Sequence, residues 1–167
     1  MDKVLEIGHF SAGFCGRLFA QNGADVVCVK QDPLPSWVTS EAMDLYLHSD
    51  KKMVDCQDRD RIRELASKAD LLVFEGTSAD CVESWGIDQW DVPLKSIITP
   101  FGLTGPKKNW RSSSNVLLAM GGYTNCSGDP DKAPLSIPGH YVEFQAGQFA
   151  YIAANAARFA EEPATID

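Results

Sequence analysis

The sequence predicts an α/β domain with a mainly parallel β-sheet flanked by helices. Short apolar runs rich in β-forming residues alternate with helical segments along the chain. A glycine-containing turn at residues 8–16 follows the first such run. Strand, helix and strand then follow one another within about 30 residues, the length of a βαβ unit. The 167 residues suffice for one hydrophobic core, so we expect a single domain over residues 1–167.

Local patterns predict the first three elements. The β-rich run at residues 4–7 is the first strand, and Gly8 ends it. Apolar side chains at helical spacing predict a helix over residues 12–22, which Gly23 is suited to close. The apolar run at residues 25–30 is the second strand.

The alternation resumes after a break at residues 32–35, which contains two prolines. Further strands are predicted at residues 52–56, 71–74 and 96–99. Helices are predicted to begin after side chains that can cap an N-terminus, namely Ser40, either Asp58 or Asp60, and Ser78. The helix that begins after Asp58 or Asp60 has one apolar face, formed by Ile62, Leu65, Ala66 and Ala69.

The last third of the chain contains the longest predicted helix. A short helix over residues 115–121 and a turn at residues 128–131 precede it. The long helix spans residues 142–162 and stops at Pro163, and a further strand is expected to begin in residues 165–167. In such a sheet the ligand is expected at the carboxyl ends of the strands.

Composition excludes several classes of protein. Lys and Arg number 15 against 23 Asp and Glu, and the net charge of −8 disfavours a nucleic-acid binder. No apolar run reaches the 18 residues of a membrane span, and Glu6 interrupts the early apolar stretch, so we expect neither membrane binding nor a signal peptide. The five cysteines lack CxxC spacing, which predicts no metal site, no disulfide framework and a reduced, cytoplasmic protein.

The glycine turn matches neither common nucleotide motif. Gly8 and Gly13 have P-loop spacing, but residues 14–15 are Phe-Cys where a P-loop carries Lys and Ser or Thr. Residues 9–10 interrupt a dinucleotide fingerprint, and Lys30 stands where that fingerprint requires an acid. NTP hydrolysis is therefore not predicted. A turn that only packs the helix on the strand is the alternative.

Several short motifs follow one another in a specific order. They are VLEI at 4–7, AG at 12–13, CGRL at 15–18, GADVV at 23–27, DKK at 50–52, ADLLV at 69–73, TPFGLTGP at 99–106, MGG at 120–122, GDPD at 128–131 and GH at 139–140. This series resembles the N-terminal part of the family III CoA-transferases, also called the CaiB/BaiF family. The resemblance extends over essentially all of the chain.

The resemblance implies a Rossmann-like large domain that binds coenzyme A. Members of the family transfer CoA between carboxylic acids, and some relatives are acyl-CoA racemases. Acyl-CoA and a small carboxylic acid are therefore the expected substrates, with no permanently bound cofactor. Members form interlocked homodimers and are more than twice this long. The chain is thus expected to be part of a large domain without the small domain, and to form a homo-oligomer or to pair with a C-terminal part or a second transferase half.

The resemblance also places the catalytic carboxylate. The aspartate that attacks the acyl-CoA thioester lies four residues before a glycine near a helix start, and the matching position before Gly147 is Glu143. Glu143 has the same functional group on a longer arm; alternatively it only complements the helix dipole. The racemase His-Asp pair is matched by residues 113–114, both serine, so proton shuttling there is not expected. His140, three residues before Glu143, either binds a ligand or, as is commoner for a histidine in a turn, is merely exposed or packed.

The resemblance implies CoA contacts by three groups of residues. They are Ser11, Ala12 and Gly13 in the turn, Lys51 and Lys52 near the phosphates, and Thr99, Pro100 and Phe101 near the pantetheine and acyl end. Asp32 stands where some members carry an arginine, and Glu75 replaces the usual asparagine. Both acids would repel a polyanion, so weakened CoA affinity is expected. Cys15 is the cysteine whose reactivity is of interest.

Two hypotheses therefore lead. The chain is either a CoA-transferase domain with Glu143 in the role of the aspartate, or a catalytically degenerate half that supplies an interface to an active partner. An unrelated nucleotide-binding domain ranks third, because both nucleotide motifs fail.

Overall fold

A computed structural model describes residues 2–30, 40–159 and 164–167. The strands are β1 (Lys3–Ile7), β2 (Asp25–Val29), β3 (Lys52–Val54), β4 (Leu71–Glu75), β5 (Leu94–Ile98) and β6 (Ala164–Ile166). The helices are α1 (Phe10–Gln21), α2 (Glu41–His48), α3 (Arg59–Ala66), α4 (Ala79–Trp85), α5 (Ser114–Met120) and α6 (Tyr141–Arg158). Short 3-10 turns occur at Ile87–Gln89 and Thr124–Cys126.

The strands form one six-stranded sheet in the order β3-β2-β1-β4-β5-β6. Every pair of neighbours is parallel. The chain moves outward from β1 to β3 and then returns to place β4 on the other side of β1. This doubly wound order confirms the predicted α/β architecture.

The predicted caps explain where three helices begin. The side chains of Ser40, Asp58 and Ser78 accept hydrogen bonds from backbone N–H groups of the first turns of α2, α3 and α4. Asp58, rather than Asp60, therefore caps α3.

Some predicted boundaries were wrong by a few residues. Helix α1 begins at Phe10, two residues before its predicted start. Strand β5 begins at Leu94, two residues before its predicted start, because it pairs with β4 from Leu94 onward. Lys95 is buried within the strand, and its amine donates to the backbone oxygen of Asp88 over 3.0 Å. The predicted break at residues 32–35 and the predicted end of the last helix at residues 162–163 lie outside the described residues.

The two faces of the sheet bury separate hydrophobic clusters, because successive residues of a strand point to opposite sides. One cluster lies under α1 and α6 and includes Val4, Val26, Leu71, Val73, Phe19 and Ala154. The other lies under α3 and α4 and includes Leu5, Ile7, Leu72, Phe74, Ile62 and Val82. No helix in the described ranges is long and apolar enough to cross a membrane.

Helices α1 and α6 approach each other closely at Gly147. A Cβ atom at this position would lie 2.5 Å from the backbone oxygen of Ser11 and 3.1 Å from the Cβ of Phe14. The ring of Phe14 also packs edge-on against Phe144 of α6, with 4.7 Å between ring centroids. This contact fixes the start of α6 over the carboxyl edge of the sheet.

A buried ion pair lies between the sheet and α1. Glu6 of β1 shares its face of the sheet with Val4, and the side chains of Glu6 and Lys51 are both fully buried. The Lys51 amine donates to Glu6 Oε2 over 2.6 Å and to the backbone oxygen of Gly13 over 2.7 Å. Burial raises the pKa of the Glu6 carboxyl, and the Lys51 charge opposes that rise. A Cβ at Gly16 would lie 1.8 Å from Glu6 Oε2, so a glycine is required there.

Two neighbouring glycines of α1 should respond in opposite ways to alanine. We expect Gly16→Ala to lower the free energy of unfolding by about 1–3 kcal/mol, because the new methyl group overpacks the Glu6 carboxylate. We expect Gly13→Ala to be neutral or to raise it by up to about 1 kcal/mol, because its Cβ meets only ordinary contacts and alanine favours the helix. Urea denaturation measures both values. Equal effects of the two substitutions would contradict the placement of the ion pair under Gly16.

Candidate active site

A cavity of about 900 Å³ opens at the carboxyl ends of β1, β4 and β5. Its walls include Gly8 after β1, Glu75 at the end of β4, Thr99 after β5, Ser114 of α5 and Glu143 of α6. Strands β1 and β4 are neighbours in the sheet although β2 and β3 intervene in the chain. The cavity therefore lies at the point where the strand order reverses, which is where open α/β sheets bind their ligands.

Glu143 presents one free carboxylate oxygen at this cavity. It lies in the first turn of α6, where the helix dipole favours a negative charge. The Ser114 hydroxyl donates to Glu143 Oε1 over 2.5 Å. The other oxygen, Oε2, is buried and has no hydrogen-bond partner among the described residues. One oxygen is thus held in place while the other keeps its lone pairs for a ligand.

Two more buried polar atoms of the cavity wall lack partners in the described chain. They are His9 Nδ1 and Thr99 Oγ1. A buried polar atom without a partner is costly, so these atoms point to a bound ligand or water. Sequence reasoning missed His9. Its place directly after β1, in a turn next to glycine, was the available signal.

Glu75 occupies the N-terminus of α1 with its own carboxylate. Glu75 Oε2 accepts hydrogen bonds from the backbone N–H groups of His9, over 3.0 Å, and Ala12, over 2.9 Å. Gly8 makes room for this arrangement, since a Cβ there would lie 2.6 Å from the Cβ of Glu75. Two amides of the kind that bind phosphates at helix N-termini are therefore already used by a side chain of the protein.

The structure brings together about half of the site residues expected from sequence. Ser11, Thr99, Pro100 and Glu143 line the cavity. Ala12 and Gly13 do not line the cavity. The N–H group of Ala12 donates to Glu75, and the carbonyl oxygen of Gly13 accepts a hydrogen bond from the Lys51 amine. Phe101 is not part of the cavity wall and packs against Trp110, with 6.1 Å between ring centroids.

The two lysines do not form a phosphate site in this structure. Lys51 is buried in its pair with Glu6, because the sheet position of Glu6 demands a counter-ion, and direct phosphate contact by Lys51 is not possible in this conformation. Lys52 is 69% exposed, but it pairs with Asp25 at the start of β2 and does not line the cavity. The basic segment expected near the phosphates is thus a structural lysine followed by a surface lysine.

His140, Ser113 and Cys15 are the other residues that the sequence analysis discussed. His140 lines the cavity and stacks on Phe10, with 4.3 Å between ring centroids. Ser113 caps α5. Cys15 is fully buried, and burial raises the pKa of its thiol, so the reactive thiolate is disfavoured.

The doubly wound parallel sheet, with a carboxylate in the crevice at its switch point, defines an α/β domain of the Rossmann type. The family model of CoA-transferase family III matches residues 2–165. The chain therefore belongs to CoA-transferase family III.

Individual relatives agree with this assignment. The chain is 30% identical to a succinyl-CoA–D-citramalate CoA-transferase of Chloroflexus aurantiacus over 158 residues, covering 81% of this chain and 39% of the relative. It is 29% identical to a probable CoA-transferase of Mycobacterium tuberculosis, covering 73% of this chain and 18% of that protein. The chain thus spans well under half of the length of these curated relatives.

Solved structures share the fold. A CaiB/BaiF family protein from Brucella suis superposes with a TM-score of 0.80 at 22% identity, covering 99% of this chain and 51% of that one. A hypothetical protein from Mycobacterium tuberculosis gives a TM-score of 0.79 at 22% identity, covering 99% and 53%. At this identity the likeness shows the fold alone.

Replacing Glu75 should destabilise the start of α1. We expect Glu75→Ala to lower the free energy of unfolding by about 1–3 kcal/mol, because two amides lose a charged acceptor. Glu75→Gln keeps an acceptor oxygen and should cost less than half as much. Glu83→Ala is the control, since Glu83 is 67% exposed in a surface pair with Lys108 and should cost less than about 1 kcal/mol. Thermal denaturation of the three variants checks this order. Equal losses for Glu75→Ala and Glu83→Ala would refute the capping role.

Proposed function

We propose that this chain is the CoA-binding part of a CoA-transferase and that Glu143 is its nucleophile. The observation that carries the proposal is the Glu143 carboxylate itself, which has Oε1 held by Ser114 and Oε2 buried without a partner at the cavity. A nucleophilic carboxylate needs this combination of fixed position and unoccupied lone pairs in a site sheltered from water.

The reaction then proceeds by exchange at acyl carbon. Glu143 Oε2 attacks the thioester carbonyl, the C–S bond breaks, and CoA leaves as a thiolate from a mixed anhydride. The thiolate attacks the Glu143 carbonyl carbon, which releases the donor acid as a carboxylate and leaves a Glu143–CoA thioester. The acceptor carboxylate attacks the carbonyl carbon of that thioester, the C–S bond breaks, and CoA leaves as a thiolate from a second anhydride. The thiolate then attacks the acceptor acyl carbon, and the C–O bond to Glu143 breaks. Glu143 is regenerated as a carboxylate.

The polar atoms around Glu143 suit the negative charge that develops on the carbonyl oxygen. Thr99 Oγ1 can donate a hydrogen bond to it, and His9 Nδ1 can donate when it carries the proton. Both atoms line the same cavity as Glu143. We propose them as the groups that stabilise this oxygen.

In this proposal the CoA phosphates do not bind the N-terminal amides of α1. The Glu75 carboxylate holds the amides there, and a phosphate would meet its negative charge. The thiol end of CoA then enters the cavity past Thr99 and Ser11, while the nucleotide lies further out. The rest of the full-length protein, or a second copy of it, would supply the remaining contacts.

A second candidate function is a degenerate transferase half. The occupied α1 N-terminus and the buried Lys51 favour it, because both remove contacts to phosphate from this domain. Such a half would pair with an active partner and contribute an interface.

Binding of CoA is the first experiment. We expect calorimetric titration of the folded chain at fixed ionic strength to show binding that weakens in Thr99→Val, because the substitution keeps the shape but removes the hydroxyl. Thr104→Val is the matched control, since Thr104 is exposed in the same loop. Absence of binding by a chain with intact circular dichroism would support the degenerate half.

Covalent trapping tests the nucleophile in the full-length protein. Succinyl-CoA, the donor named for the Chloroflexus relative, is the first donor to test. We expect intact-mass spectrometry to show a CoA adduct in the wild type that disappears in Glu143→Gln and persists in Glu83→Gln. Glu143→Asp separates the two functions. An adduct in this variant but not in the wild type would identify a degenerate site on an intact scaffold, and an adduct that survives Glu143→Gln would exclude Glu143 as the nucleophile.

A further inference from the structure

A second cluster of reactive side chains lies on the α1 side of the sheet, apart from the cavity. Glu6, Cys28 and His48 each offer one ligand atom, and these atoms all lie within 4.8 Å of one another. Glu6 and Cys28 are paired residues on the neighbouring strands β1 and β2. His48 is the last residue of α2. None of the three lines the cavity around Glu143.

The donor spacing is close to that of a tetrahedral metal site. Cys28 Sγ lies 3.8 Å from His48 Nδ1, and His48 Nδ1 lies 3.8 Å from Glu6 Oε1. Zinc–ligand bonds of about 2.0–2.3 Å in a tetrahedron place neighbouring ligand atoms about 3.3–3.6 Å apart. The Cys28 and Glu6 ligand atoms lie within 4.8 Å of each other, so a contraction of up to about 1 Å would complete the site.

The two oxygens of Glu6 have different neighbours. Lys51 takes Oε2, whereas Oε1 is buried, receives no hydrogen bond from an N–H or O–H group of the described residues, and faces the weakly donating Cys28 thiol and the His48 ring. An unpaired carboxylate oxygen in the protein interior is costly. A cation beside Oε1 would remove this cost without disturbing the ion pair to Lys51.

The far side of the histidine ring also has the arrangement of a metal ligand. His48 Nε2 lies 3.8 Å from Asp44 Oδ1, one helical turn earlier in α2. Histidines that bind metals through one ring nitrogen usually face a carboxylate, carbonyl or water with the other. At 3.8 Å this pair is too long for a direct hydrogen bond, so Asp44 would have to move closer or act through a water to hold the proton on Nε2 and leave the Nδ1 lone pair for the cation.

We propose that Glu6, Cys28 and His48 form a binding site for a thiophilic divalent cation, with zinc as the best fit. Sulfur and nitrogen donors select against magnesium and calcium, and a water molecule completes four-coordination. Burial and the Glu6 carboxylate raise the pKa of the Cys28 thiol, so the cation displaces the thiol proton to solvent when it binds. The charges then balance, since the cation and the Lys51 ammonium face the carboxylates of Glu6 and Asp44 and the Cys28 thiolate. His48 remains 17% exposed, which gives the cation a route in.

The sequence predicted no metal site because the ligands are far apart and show no CxxC or HxxxH spacing. Parallel pairing of β1 with β2 and the return of α2 over them bring residues 6, 28 and 48 together. The cation would fasten α2 to the sheet. The proposal is independent of the chemistry at Glu143.

Cobalt is a spectroscopic probe for this site. We expect the reduced chain to bind about one Co²⁺ with tetrahedral visible bands and a near-ultraviolet thiolate charge-transfer band, both lost on adding Zn²⁺. Cys28→Ser should abolish the charge-transfer band, and Asp44→Asn should weaken Co²⁺ binding about 10- to 100-fold. Cys126→Ser is the matched control, since Cys126 is exposed and away from the cluster.

His48→Gln separates loss of metal binding from loss of folding, because His48 is partly exposed at the edge of the cluster and its replacement should leave the core intact. Circular dichroism should show this variant folded, with cobalt binding strongly weakened. The proposal is overturned if the folded wild type shows no thiolate band at equimolar Co²⁺. It is equally overturned if the band survives Cys28→Ser or disappears in Cys126→Ser.

Discussion

The buried pair of Glu6 and Lys51 is the constraint on which the arrangement of the first half depends. A carboxylate in the middle of a sheet face must be neutralised, and removal of one partner from such a pair typically costs about 3–5 kcal/mol. Lys51, the residue directly before β3, neutralises Glu6 and also donates to the Gly13 carbonyl oxygen of α1. The pair therefore joins the central strand, the edge strand and the first helix. Gly16 is needed because the carboxylate lies against the helix backbone.

The position of α1 in turn builds the cavity. Its N-terminus lies at the end of β1, where Glu75 of the neighbouring β4 binds the first amides. Its first turns also receive α6 at Gly147, and that approach brings the start of α6 and Glu143 to the cavity wall. The two carboxylates of the cavity consequently have different tasks. Glu75 is engaged by backbone amides, whereas Glu143 is held by one serine and keeps an oxygen for a ligand.

In this member of CoA-transferase family III, charged side chains occupy two places where phosphate contacts were expected. The anion-binding end of α1 carries an internal anion, and one of the two expected phosphate-binding lysines is a structural counter-ion. The chain spans about half of the length of the solved structures that share its fold.

The sequence by itself determined the fold class, the strand segments of the central sheet, the helix caps Ser40 and Ser78 and the family, because alternation of apolar runs, capping side chains and ordered motifs are local signals. It narrowed the cap of α3 to Asp58 or Asp60. It also identified Glu143, Thr99 and Ser11 as candidates through their place in those motifs. Only the tertiary structure decided that Lys51 is buried, that Glu75 binds the α1 amides, that His9 faces the cavity, and that Cys28 and His48 meet Glu6. Each of these contacts joins residues at least 20 positions apart. Side-chain partners at such separations are set by strand order and helix placement, which no local pattern encodes.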